Sequence, residues 1–299
     1  MKPLEQAAQR RSMAAAALVI VLWASSFVAV KLALTDLDPG PLALTRYGVA
    51  ALVFLGLHCF RRCKLPSLPD CLRLALSGAL GIALYNYALN RGQLTVSAGV
   101  ASLIVNTVPL WTALLSALFL RESISPMGWL GALISFSGVA LICWSRAGLT
   151  GFDSGISLIL LAALSQAAYF ILIKPLLQRY TALDLTSYVV WFGFLFLLPF
   201  GAGLAEDLQA SSMLTLGAVL FLGIGPAALA YLAWSYVLST MPAGRASNLL
   251  FLVPVVAIAL GWIVLGETPP PIAVLGGAVA IGGVLLSRKS ALPSTEEGS

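Results

Sequence analysis

Charge is scarce in this sequence. Of 299 residues only 10% are Asp, Glu, Lys or Arg, and 60% are hydrophobic. A soluble domain carries about a quarter charged residues, so a water-exposed globule is excluded. Histidine occurs once, at His58, and neither HExxH nor GxGD is present, which removes the common intramembrane proteases. No Walker A loop occurs either, so the chain has no ATPase of its own. Extended polar segments between the apolar runs are missing. The separators "DLDPGP", "CKLPSLPD", "RESISP", "AGLTGFDSG", "AEDLQASS" and "GETPPP" are turn signals, too short to hold an extramembrane domain. No Asp or Glu lies deep in any apolar run. That argues against a buried carboxylate as proton carrier and leaves the driving force open. Cysteine is limited to Cys59, Cys63, Cys71 and Cys143. Three of them lie near His58, but their spacing fits no familiar zinc finger. We read them as reduced thiols, with no metal and no cofactor.

What is present is a series of apolar runs of about 20 residues, each long enough to cross a hydrocarbon core of ~30 Å. The fold class expected is an all-α polytopic membrane protein. Ten transmembrane helices are expected at 12–34, 39–59, 72–92, 98–120, 126–145, 155–178, 186–204, 212–237, 243–266 and 271–287. Ten spans put both termini on one side. Thirteen of the 17 Lys and Arg residues fall on that side, and four (Lys31, Arg46, Arg91 and Arg146) lie on or toward the other. Basic loops stay cytoplasmic, so both termini are expected there. The net charge of +5 is explained by this bias and calls for no nucleic-acid partner. The expected partners are the lipid bilayer and a small-molecule substrate. Nothing in the sequence sets the oligomeric state, and a monomer is compatible with it.

The chain also repeats itself. Shifted by 145, residues 78–142 align with 223–287 without a gap, and 20 of the 65 pairs are identical. The rarer residues carry the weight: Pro109 meets Pro254, Glu122 meets Glu267, Pro126 meets Pro271, and Gly138 meets Gly283. Upstream, "FVAVKLAL" (27–34) meets "FILIKPLL" (170–177). The halves are 12–145 and 155–288, five spans each. Five is odd, so the second half enters the bilayer from the opposite face. Two inverted five-helix repeats are an architecture of alternating-access transporters, with the substrate near the midplane where the repeats meet.

Pro109 and Pro254 sit at the middle of spans 4 and 9. A proline inside a helix removes a donor and costs about 3 kcal/mol. We therefore expect a softened, kinked helix at each, with the carbonyls of Val105 and Leu250 freed toward a cavity. Polar and aromatic residues gather at similar depth. Span 4 carries Ser102 and Asn106 on the face of Pro109, and span 9 carries Ser247 and Phe251 on the face of Pro254. Span 3 adds Tyr85, Asn86 and Asn90, span 1 Trp23 and Ser26, span 6 Gln166 and Tyr169, and span 8 Tyr231 and Trp234. Together these are the candidate substrate-binding residues, an uncharged, aromatic-rich set that could meet an ammonium, a carboxylate or an apolar side chain. Arg46, a turn or two into span 2, is the deepest charge. We assign no cation to the cavity, which points to a neutral or zwitterionic substrate. Gly128, Gly131, Gly138, Gly276, Gly277, Gly282 and Gly283 in spans 5 and 10 suit close helix packing, within the chain or between two copies.

The motif "WASSFVAVK" (23–31), the two five-helix halves and the Pro-to-Glu stretch closing spans 4 and 9 resemble the drug/metabolite transporter superfamily, in its EamA-like ten-helix branch. The similarity covers roughly residues 12–288 and runs closest to the aromatic amino acid exporters. It implies a non-enzymatic inner-membrane exporter of amino acids and related metabolites. Export of another metabolite or a cationic drug, and a passive channel, are the competing readings.

Overall fold

The computed structural model describes residues 3–59, 64–119, 126–147, 153–240 and 249–289, and among them every regular element is a helix. Seven helical stretches are long and apolar enough to cross a membrane, and three shorter apolar helices complete a set of ten. Span 1 is Pro3–Ala33 and span 2 Pro39–Cys59. Span 3 runs over Leu68–Gly92 and span 4 over Ala98–Phe119. Span 5 is Pro126–Ala147, span 6 Ser154–Ile173 and span 7 Ala182–Leu197. Span 8 runs from Met213–Ile224 on through Ala230–Thr240. Span 9 is described from its middle onward as Leu252–Leu265, and span 10 is Pro271–Lys289. This is the all-α, ten-helix membrane architecture expected from the sequence.

The helix starts follow ordinary capping chemistry. The Ser97 hydroxyl accepts from the Val100 N–H, Asp153 from the Gly155 N–H, Thr181 from the Asp184 N–H and Ser212 from the Thr215 N–H. Each satisfies a donor that has no partner within its helix. Span 7 begins four residues before the expected 186 because of such a cap. Asp184 in its first turn is held by Thr181 and lies 3.2 Å from His58 Nε2. Hydropathy alone disfavours that turn. The same span ends its α-helix at Leu197, two residues before Pro199, and finishes as a single 3₁₀ turn, Leu198–Gly201. Span 3 likewise starts at Leu68, before the expected 72. Its polar residue Asp70 accepts from Ser67 Oγ and Tyr180 Oη at 2.9 Å and from Arg179 Nη1 at 3.1 Å.

The two halves pack with visible two-fold logic. Gly223 of span 8 lies against Val49 and the Arg46 carbonyl of span 2, and Gly78 of span 3 lies against Gly193 and Val189 of span 7. Spans 5 and 10 cross each other. Gly138 touches Gly276 and Ala280, its counterpart Gly283 touches Gly131 and Ser135, and Ser135 Oγ donates to the Ala280 carbonyl at 2.9 Å. Those glycines are spent on contacts within one chain, where the missing side chain lets two backbones meet.

On the side away from the N-terminus, the loop between spans 1 and 2 is tied to span 8. Asp36 Oδ2 accepts from Thr215 Oγ1 at 2.6 Å, Ser212 Oγ at 2.7 Å and the Ser212 N–H at 2.9 Å. These bonds, the Thr215 hydroxyl first, lower its pKa from 3.8 to about 2. A pKa depressed in the folded state stabilises above the unfolded value and is lost as pH falls through the folded one. The tie is therefore complete above about pH 4 and gone near pH 2. Asp36→Ala is expected to lower the thermal midpoint of the purified protein at neutral pH and to flatten its fall between pH 4 and pH 2. A variant melting curve parallel to wild type across that window would remove Asp36 from the stability of the fold.

Candidate functional site

Spans 4 and 9 are interrupted rather than kinked. Span 4 is Ala98–Val105 followed by Val108–Phe119, and span 9 resumes at Leu252 after a turn at 250–251. Pro109 and Pro254 therefore stand in the first turn of a new half-helix, where no backbone donor is required. The interior-proline penalty expected from the sequence does not apply. The chain tightens at each break: the Thr107 N–H bonds the Ile104 carbonyl at 3.0 Å, and the Val253 N–H bonds the Leu250 carbonyl at 2.9 Å. The Leu250 carbonyl is thus occupied and not freed. At the first break Asn106 Nδ2 donates back to the Ser102 carbonyl at 3.1 Å, and Trp111 Nε1 donates to Thr107 Oγ1 at 3.1 Å.

A second pair of irregularities was not foreseen. Span 3 contains a π-helical stretch, Ala79–Leu84, and span 8 contains one at Gly225–Leu229. The 145-residue shift superimposes them. Pro226 explains the second, since its ring cannot fit a regular α turn. In the first, a Cβ on Gly81 would lie 2.5 Å from Cγ of Tyr169, so the missing side chain seats that ring. Each wide turn takes a hydrogen bond from the opposite half. Ser165 Oγ of span 6 donates to the Leu80 carbonyl at 2.7 Å, and Trp23 Nε1 of span 1 donates to the Pro226 carbonyl at 3.3 Å. Such π turns recur at functional sites in helical proteins.

The π turns deliver their following residues to a shared cluster. Trp23 packs on Tyr231 and Trp234, with ring centroids 5.8 and 5.7 Å apart. The Arg46 guanidinium carbon lies 5.3 Å from the Tyr47 ring centroid, and Tyr47 and Tyr169 belong to one packed core. Asn86 is fully buried. Its Oδ1 accepts from Arg46 Nη1 at 3.1 Å, and its Nδ2 donates to Tyr47 Oη at 3.1 Å and to the Ile82 carbonyl at 2.8 Å. Arg46 is only 6% exposed. The assignment that no cation reaches the cluster is corrected: position along span 2 set its depth, but its side chain points inward.

The other candidates divide. Gln166 is half-buried, with a buried Oε1 that has no hydrogen-bond partner among the described residues. Asn106 and Pro109 line the break in span 4. Asn90 is fully buried and bonds the Pro39 carbonyl at 3.1 Å, so it joins spans 2 and 3. Ser102 is fully buried and bonds the Gly99 carbonyl of its own helix at 2.6 Å, as Ser26 does the Trp23 carbonyl at 2.6 Å. Phe251 packs beside Leu110, Ala132 and Val284, toward spans 5 and 10, and Pro254 is buried. Ser247 lies outside the described residues, as do Cys63 and Glu122. His58 is engaged at both ring nitrogens, by the Phe54 carbonyl at 2.9 Å and by Asp184. Sequence reasoning overlooked Arg46 and Tyr47. The available signal was a basic residue inside an apolar run, Arg46 in "LALTRYGVAAL" (42–52).

Glu267 links three spans at one end of the bundle. Gly266, at φ 66°, ends span 9 in the left-handed conformation, and the Glu267 N–H turns back to the Gly261 carbonyl at 3.1 Å. This glycine-based C-cap aims the carboxylate across the bundle. Its Oε1 lies 3.5 Å from Lys31 Nζ and its Oε2 accepts from the Ala98 N–H at 2.8 Å. Spans 1, 4 and 9 are thereby joined on the side away from the N-terminus. Glu267 also sits at the positive end of span 4, which favours the charge.

These features define a polytopic helical membrane protein made of two like halves around a polar, aromatic centre. The chain belongs to the EamA-like transporter family, whose model matches twice, at residues 10–144 and 153–288. It is 37% identical to the uncharacterized transporter YdfC of Bacillus subtilis (strain 168), over 89% of this chain and 87% of that one. It is 33% identical to a probable terminal-alkyne amino-acid exporter of Streptantibioticus cattleyicolor, over 94% and 95%, and 28% identical to a probable amino-acid metabolite efflux pump of Salmonella typhimurium, over 91% and 93%. A solved crystal structure shares the fold, with a TM-score of 0.64 at 18% identity, covering 96% of this chain and 99% of the other.

Proposed function

We propose that this EamA-family transporter exports amino acids, aromatic and other neutral ones foremost, from the cytoplasm across the inner membrane by alternating access. The observation that carries the reading is the buried aromatic set, Tyr47 beside Arg46 and packed with Tyr169, and Trp23 on Tyr231. Both halves contribute to it, next to interrupted helices and π turns. Hydroxyls and aromatic faces suit the mixed polar and apolar surface of such a molecule. The names of two relatives, an amino-acid exporter and an amino-acid metabolite efflux pump, point the same way. The halves 12–145 and 155–288 are the bodies that rock, and Lys31–Glu267 closes the outer end. Both termini are cytoplasmic, as the basic-residue bias requires.

Counterflow in proteoliposomes tests the reading. Vesicles preloaded with unlabelled leucine or phenylalanine are expected to accumulate the labelled amino acid transiently and saturably, which a channel does not do. Uptake at the level of empty liposomes for all neutral amino acids would overturn the substrate assignment. Uptake without counterflow would overturn the carrier mechanism. An impermeant thiol reagent should reach a single cysteine at Ser154 or Ser211 from outside intact cells and miss one at Ser67; the reverse pattern would overturn the orientation.

A further inference from the structure

Arg46 has its guanidinium carbon 5.3 Å from the Tyr47 ring centroid, a cation–π contact that leaves its charge without a counter-ion among the described residues. A buried cation is costly unless it is paired, and among the described residues no carboxylate pairs with it. Among the described residues it makes one hydrogen bond, from Nη1 to Asn86, and its buried Nε has no hydrogen-bond partner. A guanidinium presents five donors in a planar fork. With Nη1 taken, the Nε–Nη2 edge is left, which is one of the edges that meet a carboxylate two-pronged. We propose that this edge anchors a carboxylate on the transported molecule. The inference rests on the transport reading above and names its substrate class: organic acids, amino acids included, in which the carboxylate is required and the amino group is not.

Three observations support a ligand role over a purely structural one. First, Asn86 uses both ends of its amide within the protein, on Arg46, Tyr47 and Ile82. It is a positioning residue that fixes the fork while Nε on the far edge keeps no hydrogen-bond partner among the described residues. Second, the charge is absent from the other half. The matching position is Val189, since Gly223 meets the Arg46 carbonyl and Val49 as Gly78 meets the Val189 carbonyl and Phe192, so span packing in this architecture does not require an arginine. Third, no Asp or Glu lies deep in any span, so an ammonium group finds no ion-pair partner there. Aromatic faces remain for the rest of the molecule.

The test measures binding separately from transport. Thermal stabilisation of the purified full-length protein is titrated with acetate, L-leucine, L-phenylalanine and 3-phenylpropionate, and with L-phenylalaninamide and 3-phenylpropanamide as uncharged-end controls. The acids are expected to stabilise wild type at concentrations roughly 10- to 100-fold below their amides, the range of a charged hydrogen-bonded pair. Phenylalanine and 3-phenylpropionate should act alike. Arg46→Gln should lose the preference while still responding to the amides, and Arg46→Lys should keep part of it, as a point charge without the fork. If Arg46→Gln does not fold, the wild-type preference and the lysine variant decide. Equal response to acids and amides in wild type, response to neither, or a preference retained in Arg46→Gln would overturn the anchor. Acid-selective binding that depends on Arg46 but is accompanied by no counterflow would leave the anchor standing and overturn the transport reading instead.

Discussion

Gly138→Leu is expected to prevent spans 5 and 10 from closing on each other. A single Cβ at Gly138 would lie 2.5 Å from the Gly276 carbonyl oxygen and 2.8 Å from the Ala280 Cα, and one at Gly283 would lie 2.5 Å from both the Gly131 carbonyl oxygen and the Ser135 nitrogen. These are backbone atoms of the facing helix, so no rotamer change relieves the clash. Overpacking a core ordinarily costs about 1–3 kcal/mol, and more where nothing can yield. Total stabilities are only about 5–15 kcal/mol. The thermal midpoint should fall by roughly 10 °C or more, or the protein should elute as aggregate. Gly282→Leu is the control, because nothing lies within 4 Å of its would-be Cβ. It should stay within about 0.5 kcal/mol of wild type. Equal damage from Gly138→Leu and Gly282→Leu would mean that the crossing of spans 5 and 10 does not hold the fold together.

Bridging spans 1 and 9 where Lys31 meets Glu267 is expected to abolish transport. Besides this ion pair with Lys31, Glu267 holds the first turn of span 4. An alternating-access cycle must part these three helices once per turnover. With the four native cysteines replaced by serine, a Lys31→Cys/Glu267→Cys pair joined by a short, reducible bifunctional thiol reagent should drop counterflow to the level of empty liposomes. Reduction should restore it. Glu267→Gln should act more weakly: it removes the ion pair but keeps an acceptor for the Ala98 N–H, and a partly exposed pair contributes only about 0–1 kcal/mol. That can shift the balance of two states without freezing it. Full counterflow after complete bridging would show that this end does not open during transport.

The helix count, the span boundaries and the internal repeat are legible in the sequence because they rest on local properties. A bilayer obliges every spanning backbone to satisfy its own hydrogen bonds, so apolar runs of sufficient length become helices wherever turn residues divide them. Boundary errors fall where polar first turns are capped, as with Thr181 and Asp184, because a cap is worth more than the hydropathy of the residues it covers. The prolines illustrate the limit of a local reading. Pro109 and Pro254 were visible as helix-breaking residues, but whether a helix bends at a proline or stops and restarts there depends on what surrounds the turn. Here Thr107 and Asn106 support a stop at the first break, and the Val253–Leu250 bond supports one at the second.

The sequence by itself determined that this protein spans the membrane ten times in two like halves, and which depth holds polar and aromatic residues. Tertiary structure alone decided which of them face one another. Asn86 was expected to meet substrate, and it is consumed by Arg46 and Tyr47. Arg46 was placed by depth near a span end, and it is buried against the centre. Asn90, Ser102 and Phe251 share that depth but point into helix contacts. The π turns in spans 3 and 8 also rotate everything after them relative to a regular helix, which no 3.6-residue periodicity can anticipate. The decisive contacts join residues 40 positions apart, as Arg46 and Asn86, or 169 apart, as Ala98 and Glu267. Hydropathy records how deep a side chain lies, whereas the direction it points is set by helix rotation and by partners distant in the chain.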